Sequence, residues 1–312
     1  MNFSGVEAHS DIPVPGNKAR AVPLALITVL FWSTVATAFK IGLKDLYPAQ
    51  LIFIASGTTL LVLILILSFE KKIGQIFRLR FRHYLWAAFL GMLNPFAYYL
   101  LIFKGYSILP AQVAQPTNMI WPIVLVLLSV PLLKQKIRIQ HILALLISFG
   151  GVLLIASMGK TLRFGKEYLS GIAFCLASSV IWSFYWILSA RNKTEPVLGL
   201  FLNFLFGFIY LFLVLLLDHQ LALPTGNGLL AGIYIGIFET GISFVLWLKA
   251  MSASDNNARI ANLIYLAPFL SLIPIHFILK EPIPPTTLIG LFFIISGILV
   301  QQIRLKKYDS KK

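Results

Sequence analysis

The sequence is poor in charge, and the charge it carries is mostly positive. Only 12% of the 312 residues are charged, 58% are hydrophobic, and the mean hydropathy is +0.86. A soluble domain has about 25% charged residues, so this deficit excludes a surface that mainly faces water. The net charge of +15 comes from Lys and Arg scattered singly between apolar stretches, without the basic stripe of a nucleic-acid binder. These cations are expected to flank membrane spans, which makes the lipid bilayer the predicted partner and excludes nucleic acid.

The sequence also lacks the signatures of enzymes and of bound cofactors. Its one cysteine, Cys175, excludes internal disulfides and cysteine-only metal clusters. It contains no P-loop, no His-Glu-x-x-His motif and no Gly-x-Ser-x-Gly motif. No aspartate cluster could hold magnesium. We therefore predict no catalytic residue, no metal site and no cofactor, and we expect a protein that is not an enzyme.

Long apolar runs fill most of the chain. A helix needs about 20 apolar residues to cross the hydrocarbon core of a bilayer. The runs predict an all-α membrane protein with ten transmembrane helices, at about 22–41, 48–68, 84–104, 111–133, 141–158, 169–190, 197–217, 228–249, 260–279 and 286–303. Only Lys104, Gly105 and Pro110 separate the third run from the fourth, but the combined stretch is too long for one helix.

The loops and tails predict the orientation. Residues 1–20 lack the basic-then-apolar order of a signal peptide and are predicted to be a disordered cytoplasmic tail. Residues 304–312 are predicted to be a basic cytoplasmic tail. With the N-terminus inside, 19 of the 26 Lys and Arg fall in inside segments, as the positive-inside rule expects. The prediction is a multi-pass protein of the bacterial inner membrane with both termini in the cytoplasm.

The two halves of the chain repeat one another at polar and helix-breaking positions. The matching residues, 144 to 150 positions apart, are Trp32-Ser33 with Trp182-Ser183, Gly91 with Gly236, Asn118 with Asn262, and Lys134-Gln135 with Lys280-Glu281. The offset predicts one five-helix repeat over 21–158 and another over 159–303. Because five is an odd number, the second repeat must enter the membrane from the opposite side. Inverted repeats are typical of alternating-access carriers, whose substrate site lies near the membrane midplane between the repeats.

These features resemble the drug/metabolite transporter superfamily, and specifically its EamA-type exporters, over about residues 22–303. The resemblance rests on ten spans in 5+5 order, Trp-Ser on the first and sixth spans, and the paired Pro, Lys/Glu and Gly positions. It implies export of a small metabolite, often an amino acid, through a central cavity lined by the first, third, fourth, sixth, eighth and ninth spans. One position departs from the family: Gln135 stands where the first half commonly has an acid, which Glu281 keeps in the second half. If that acid pairs with a partner in relatives, only one such pair is expected here.

Glu239 is the carboxylate that stands out, because the other ten of the eleven lie in loops or at span ends. A charge in mid-membrane costs about 2.5 kcal/mol or more, so such a residue normally faces a cavity or a partner. We predict that Glu239 binds substrate or couples transport to protons. The alternative is a neutral, hydrogen-bonded glutamate that only holds helices together.

Amide and aromatic side chains are predicted to line the substrate cavity. The residues are Trp32, Asn94, Tyr98, Asn118, Trp121, Trp182, Tyr185, Asn262 and Tyr265. Asn118 with Trp121, and Asn262 with Tyr265, are three residues apart and precede a proline, so each pair is predicted to share one helix face. Packing, kinking and interhelical hydrogen bonding would use the same residue types, and these alternatives stay open. Lys40, Lys104 and Lys249 stand near span ends and are expected to extend to the interface.

The expected function is secondary active transport that exports a small amphipathic metabolite, such as an amino acid, by alternating access with proton coupling. A nucleotide-sugar or organic-phosphate antiporter would need Lys or Arg deep in the cavity to bind phosphate. A membrane-embedded enzyme or lipid-handling protein would need a catalytic constellation that the sequence lacks. The expected partners are a small-molecule substrate and lipid, and a homo-oligomer is left open.

Overall fold

The computed structural model describes residues 20–133, 139–158, 165–221, 225–254 and 257–302, and this part of the chain is helical, with no strand. The helices are α1 Ala21–Asp45, α2 Pro48–Phe69, α3 Phe81–Ile108, α4 Ala111–Asn118 and Trp121–Leu133, α5 Ile139–Ser157, α6 Lys166–Ser189, α7 Pro196–Leu217, α8 Asn227–Ala253, α9 Asn257–Asn262 and Ala267–Leu279, and α10 Pro285–Gln302. A short 3₁₀ helix, Ile73–Arg78, connects α2 to α3. The ten predicted helices are therefore present.

Length and hydropathy agree with a membrane bundle. Eight of the described helices are long and apolar enough to cross a membrane, and two shorter apolar stretches, Ile142–Ser157 and Pro285–Val300, lie in α5 and α10. Large apolar side chains are exposed on the outside, including Leu61 at 65%, Leu146 at 63% and Phe292 at 66%. Such a surface suits hydrocarbon rather than water. The predicted tails at 1–20 and 304–312 lie outside the described residues, apart from Arg20.

The predicted separation of the third and fourth spans is confirmed. Helix α3 ends at Ile108, and Leu109 is extended, with φ −96° and ψ 154°. Pro110 disfavours the helical conformation for the residue before it, so Leu109 leaves the helix. Pro110 itself precedes α4, which begins at Ala111.

Helices α3 and α8 are each interrupted at matching places by a π turn. In α3 the turn covers Met92–Ala97, and Asn94 within it is non-helical, with φ −144° and ψ 118°. In α8 the turn covers Gly236–Gly241. Pro95 cannot donate a backbone hydrogen bond, and the glycines of α8 tolerate irregular backbone. Interrupted helices in corresponding positions of two halves are typical of carrier binding sites.

Helices α4 and α9 are interrupted as well, which corrects the prediction that each amide–aromatic pair shares one continuous helix face. The α-helix stops at Asn118 and resumes at Trp121. In α9 a 3₁₀ segment, Leu263–Leu266, follows Asn262. The prolines explain both breaks: Pro122 and Pro268 lack the N–H that would bond to the carbonyl four residues earlier.

The repeat appears in the packing of the glycines. A Cβ added to Gly236 would lie 2.5 Å from the backbone oxygen of Ala55, so α8 and α2 touch through their backbones. Gly91, 145 residues before Gly236, makes the same close approach of α3 to the backbone oxygen of Asn203 on α7. Because Asn203 lies 148 residues after Ala55, the two crossings are counterparts.

Helices α5 and α10 cross on the axis that relates the halves. A Cβ on Gly151 would lie 2.5 Å from the oxygen of Gly290, and one on Gly297 would lie 2.7 Å from the oxygen of Ala144. Each of these contacts is the image of the other at an offset of 146. The antiparallel crossing confirms two inverted five-helix repeats.

The first helix of each half packs on the other half. Helix α1 packs on α8 and α9, while α6 packs on α3 and α4. This exchange brings the middle of α1, α3, α6 and α8 together and so places residues of both halves around one region.

Candidate functional site

Glu239 lies in the π turn of α8 and contacts helices of the first half. The Tyr99 hydroxyl donates to its Oε1 at 3.1 Å, and the Trp32 indole Nε1 donates to its backbone oxygen at 3.2 Å. The second carboxylate oxygen, Oε2, is buried and accepts no hydrogen bond from the described residues. No described Lys or Arg forms an ion pair with this carboxylate. Among the described residues, therefore, Oε1 of Glu239 has a hydrogen-bond donor and Oε2 has none.

A series of aromatic ring contacts links Trp32 to Tyr99, the two residues that donate hydrogen bonds to Glu239. The ring contacts, by centroid distance, are Trp32–Phe244 at 6.1 Å, Phe244–Trp182 at 5.9 Å, Trp182–Tyr98 at 4.5 Å and Tyr98–Tyr99 at 4.8 Å. Tyr98 and Trp182 stack, and the other three contacts are edge-on, both being favourable geometries for aromatic pairs.

The contacts form a closed circuit, which we call the Glu239 ring: Trp32, Tyr98, Tyr99, Trp182, Phe244 and Glu239. Its members come from α1, α3, α6 and α8, so both halves contribute. Trp32 and Trp182 are repeat counterparts, as are Tyr99 and Phe244. Four of its six members therefore follow the symmetry of the fold, and Glu239 is its one acidic residue.

Asn118 joins this circuit through Tyr98. The Tyr98 hydroxyl donates to Asn118 Oδ1 at 3.2 Å, and Asn118 Nδ2 donates to the Ser178 hydroxyl at 2.8 Å. The break after Asn118 lets its side chain lie between α3 and α6. The structure thus brings four predicted site residues, Trp32, Tyr98, Asn118 and Trp182, into one set of contacts with Glu239.

Tyr185 and Asn94 lie deeper in the packing. Tyr185 stacks on Trp182 with centroids 5.7 Å apart, and its hydroxyl accepts from Asn203 Nδ2 at 3.3 Å. Asn94 is fully buried beside the Tyr185 hydroxyl. Asn94 is the counterpart of Glu239, but the two positions have different surroundings.

The remaining three predicted site residues, Trp121, Tyr265 and Asn262, lie on α4 and α9. Trp121 is partly buried, and its backbone oxygen accepts from the Ser183 hydroxyl at 2.8 Å. Tyr265 is buried. Asn262 has a buried Oδ1 without a hydrogen-bond partner in the described part of the chain. Among the described residues, Asn262 has no equivalent of the hydrogen bond by which Tyr98 joins Asn118 to the ring.

Sequence reasoning missed Tyr99 and Phe244. It selected Tyr98 because that residue follows Asn94 by one α-helical turn, but a π turn lies between them and closes over five residues. The residues five positions after Asn94 and Glu239 are Tyr99 and Phe244, which are counterparts at the offset of 145. Applying that offset to every aromatic residue of α3 would have found the pair.

The basic residues of the spans lie at the helix ends. Lys40 Nζ donates to the backbone oxygens of Tyr106 at 2.9 Å and Leu109 at 3.0 Å, and so satisfies the carbonyl end of α3. Lys104 is exposed. Lys249 Nζ pairs with Glu70 Oε1 at 2.8 Å. None of the three contacts the Glu239 ring.

Glu281 holds the beginning of α4. Its Oε1 accepts from the backbone N–H of Ala111 at 3.0 Å, and its Oε2 accepts from that of Gln112 at 3.3 Å. An acid at this place satisfies free N–H groups and complements the helix dipole. The counterpart, Gln135, lies outside the described residues. Contact between Glu281 and α4 joins the halves at this end of the bundle, the Glu281 end.

Charged residues join the halves at the opposite end, the Glu70 end. Glu70 accepts from Lys249 at 2.8 Å and pairs with Lys72 at 2.7 Å, and Lys72 also pairs with Glu195 at 2.8 Å. The hydrogen bond from Lys249, followed by that from Lys72, lowers the pKa of Glu70 below its ordinary value. The repeat counterparts of Glu70 and Lys249 are Asp218 and Lys104, which are exposed and form no ion pair within the described residues.

Comparison with known proteins agrees with this architecture. The EamA-like transporter family matches the chain twice, over residues 19–157 and 169–301. The aromatic amino acid exporter YddG of Ancylobacter novellus is 30% identical over 58% of this chain and 63% of its own length. The probable terminal-alkyne amino-acid exporter of Streptantibioticus cattleyicolor is 25% identical over 90% of this chain and 93% of its own. This chain spans only 60% to 63% of the length of the two relatives reported at 30% identity.

A solved structure shows the same fold. It covers 91% of this chain and 96% of its own, with a TM-score of 0.65 and 24% sequence identity. Ten helices in two inverted halves, with one family match in each half, identify the protein as a multi-pass integral membrane protein. The chain belongs to the EamA-like transporter family.

Proposed function

We propose that this protein exports a small amphipathic metabolite, an amino acid or a related solute, across the inner membrane of a bacterium. The observation that carries the proposal is the Glu239 ring, in which helices of both halves surround a carboxyl group with one oxygen that accepts no hydrogen bond from the described residues. Carriers built from inverted repeats bind substrate at such a place. The exporters named among the relatives support the substrate class.

The mechanism proposed is alternating access, by rocking of one half against the other. Contacts between the halves occur at both ends of the bundle: Lys249 with Glu70 at one, and Glu281 with the start of α4 at the other. Opening either end breaks one set of contacts and leaves the other. The ring lies between the two ends and becomes accessible from each in turn.

The orientation proposed has both termini in the cytoplasm, so the Glu70 end faces inward. The cation-rich segments support it, because Arg78, Arg80, Arg82 and Arg191 all lie at this end. We also propose that Glu239 takes up and releases a proton during the cycle. It is the one carboxylate in the middle of a span within the described ranges, which makes it the acid available for coupling.

A phosphate-carrying substrate is disfavoured by the positions of the lysines. Phosphate is bound most strongly by charged Lys or Arg donors. Lys40 donates instead to the carbonyl end of α3, and Lys249 pairs with Glu70. A nucleotide-sugar or organic-phosphate antiporter would lack its anion-binding group in the described part of the chain.

Uptake of labelled amino acids into proteoliposomes tests the proposal. We expect transport to be stimulated by a pH gradient, and Glu239→Gln to abolish that stimulation. Glu167→Gln is the matched control, because Glu167 is exposed at the start of α6, far along the helix from Trp182. A transport rate that changes neither with the pH gradient nor with Glu239→Gln would contradict proton coupling. Absence of transport for every solute would contradict export itself.

A further inference from the structure

The Glu239 carboxylate has a polar partner on one side only. Oε1 receives the Tyr99 hydroxyl, whereas Oε2 is buried and receives no donor from the described residues. A buried carboxylate oxygen without a donor is costly. A donor supplied by a ligand would complete its hydrogen bonding.

The surrounding groups determine the charge of that ligand. No described Lys or Arg is ion-paired with Glu239, so no cation in this part of the chain would compensate the charge of its ionised form. The rings of Trp32, Tyr98, Trp182 and Phe244 continue from it, and aromatic faces attract cations. A carboxylate bordered by aromatic side chains suits an ammonium group, which can form an ion pair and a cation–π contact together.

For a substrate carboxylate the same region offers only neutral donors. The Asn118 amide already bonds to Tyr98 and to the Ser178 hydroxyl. The Trp186 indole, whose ring contacts Trp182 at 5.7 Å, adds a buried N–H without a partner among the described residues. Neutral donors bind an anion more weakly than charged ones do. An anionic ligand would also lie near the Glu239 charge and be repelled by it.

We propose that Glu239 and the aromatic members of its ring form a site for the ammonium group of the substrate, and that a free carboxylate on the substrate is dispensable. The substrate class is then amphipathic primary amines, including amino acids and their carboxylate-free analogues. This inference rests on the proposed function, since it assigns the recognised group within the same export site.

Equilibrium binding to the purified full-length protein tests this assignment by isothermal titration calorimetry. Four probes share one aromatic group: phenylalanine, phenylalaninamide, phenethylamine and N-acetylphenylalanine. We expect the three ammonium-bearing probes to bind, with the amide and the amine at least as tight as phenylalanine. N-acetylphenylalanine cannot form the ion pair, so it should bind roughly tenfold or more weakly than phenylalanine.

Two variants and a control keep the test decisive. Glu239→Gln should weaken the ammonium-bearing probes by roughly tenfold or more and remove their advantage over N-acetylphenylalanine. Tyr99→Phe removes the donor to Oε1 but keeps the Glu239 carboxyl group and the aromatic side chains, so it should retain the preference for ammonium. It therefore gives a second reading if Glu239→Gln fails to fold. Glu167→Gln should bind all four probes as the wild type does.

The outcomes separate this inference from the proposed function. Equal binding of N-acetylphenylalanine and phenylalaninamide would overturn the inference, as would amine binding that survives Glu239→Gln in a folded variant. If proteoliposomes transport phenylalanine while the amines neither bind nor compete, export stands and the ammonium site fails. If the amines bind through Glu239 but no solute crosses the membrane, the ammonium site stands and export fails.

Discussion

The Tyr99 hydroxyl donates a 3.1 Å hydrogen bond to Glu239 and so joins α3 of the first half to α8 of the second. Tyr99 is fully buried, and removing its hydroxyl leaves a carboxylate without its one described side-chain donor. We expect Tyr99→Phe to lower the free energy of unfolding by about 1–3 kcal/mol and to raise the transport KM severalfold. Thermal unfolding in detergent and proteoliposome uptake measure the two effects.

Tyr210→Phe is the matched control for that variant. The Tyr210 hydroxyl donates at 3.1 Å to the backbone oxygen of Ala88. This bond also joins the two halves, but it connects α7 to α3 and lies away from the ring. Its loss should lower stability and leave the transport KM unchanged. Equal changes of KM in both variants would show that the Tyr99 bond has no special connection to the substrate.

Gly150 and Gly151 are neighbours on α5 that should respond to alanine in opposite directions. A Cβ on Gly151 would lie 2.5 Å from the backbone oxygen of Gly290, whereas one on Gly150 would meet nothing within 4 Å. We expect Gly151→Ala to destabilise the protein by about 1–3 kcal/mol, because the α5–α10 crossing must open. Gly150→Ala should stabilise it by up to about 1 kcal/mol through helix propensity. Thermal unfolding of both variants compares the signs, and a harmless Gly151→Ala would contradict the crossing.

The Glu70 ion pairs should weaken in acid. The pKa of Glu70 is lowered in the folded protein. Its contribution to the free energy of unfolding is therefore fully present above the pKa of the unfolded chain, about 4.3, and is lost as the pH falls through the pKa of the folded protein. Because the Lys249 side chain is 50% exposed, we expect Glu70→Gln to cost no more than about 1 kcal/mol at neutral pH. Unfolding measured from pH 7 to pH 3 should show a difference between wild type and Glu70→Gln that shrinks toward pH 3. A constant difference would indicate a role other than charge pairing.

Alternating access predicts an exchange of ion pairs between the two ends. Lys249 contacts Glu70 in this structure, while their counterparts Lys104 and Asp218 form no pair among the described residues. When the halves exchange conformations, the second pair should form as the first separates. Cysteines placed at 70 and 249, or at 104 and 218, in a Cys175→Ala background should therefore cross-link in opposite proportion when substrate is added. Cross-linking that changes in the same direction at both ends would contradict the exchange.

The fold could be predicted far better than the site. Ten spans followed from apolar runs, and the match of Gly91 with Gly236 contributed to the prediction of two repeats. The structure adds that both glycines lie at equivalent helix crossings. These features depend on hydrophobicity and on backbone contact, which leave strong patterns in a sequence. The site depends on register, and the π turns shift the register by one residue, so that Tyr99 rather than Tyr98 reaches Glu239.

Symmetry does not reveal how the surroundings of the two amides differ. Asn118 and Asn262 hold matching positions, but only Asn118 reaches a described partner on the neighbouring interrupted helix, through Tyr98. The counterpart of Tyr98 is Ser243, a short side chain that donates to the backbone oxygen of Phe238 instead. The halves keep the backbone in common and differ in the length of single side chains, which no internal repeat reveals.

The crossing of α5 and α10 has the geometry of an isologous dimer interface contained in one polypeptide. In such an interface every contact occurs twice, and Gly151 with Gly290 repeats as Gly297 with Ala144. A five-helix chain inserted in both orientations would build this crossing from a single gene, and each substitution would then act on both sides at once. Covalent fusion removes that constraint. Ala144 lies opposite Gly297, whereas its repeat counterpart, Gly290, is a glycine. At this position the two copies have diverged independently.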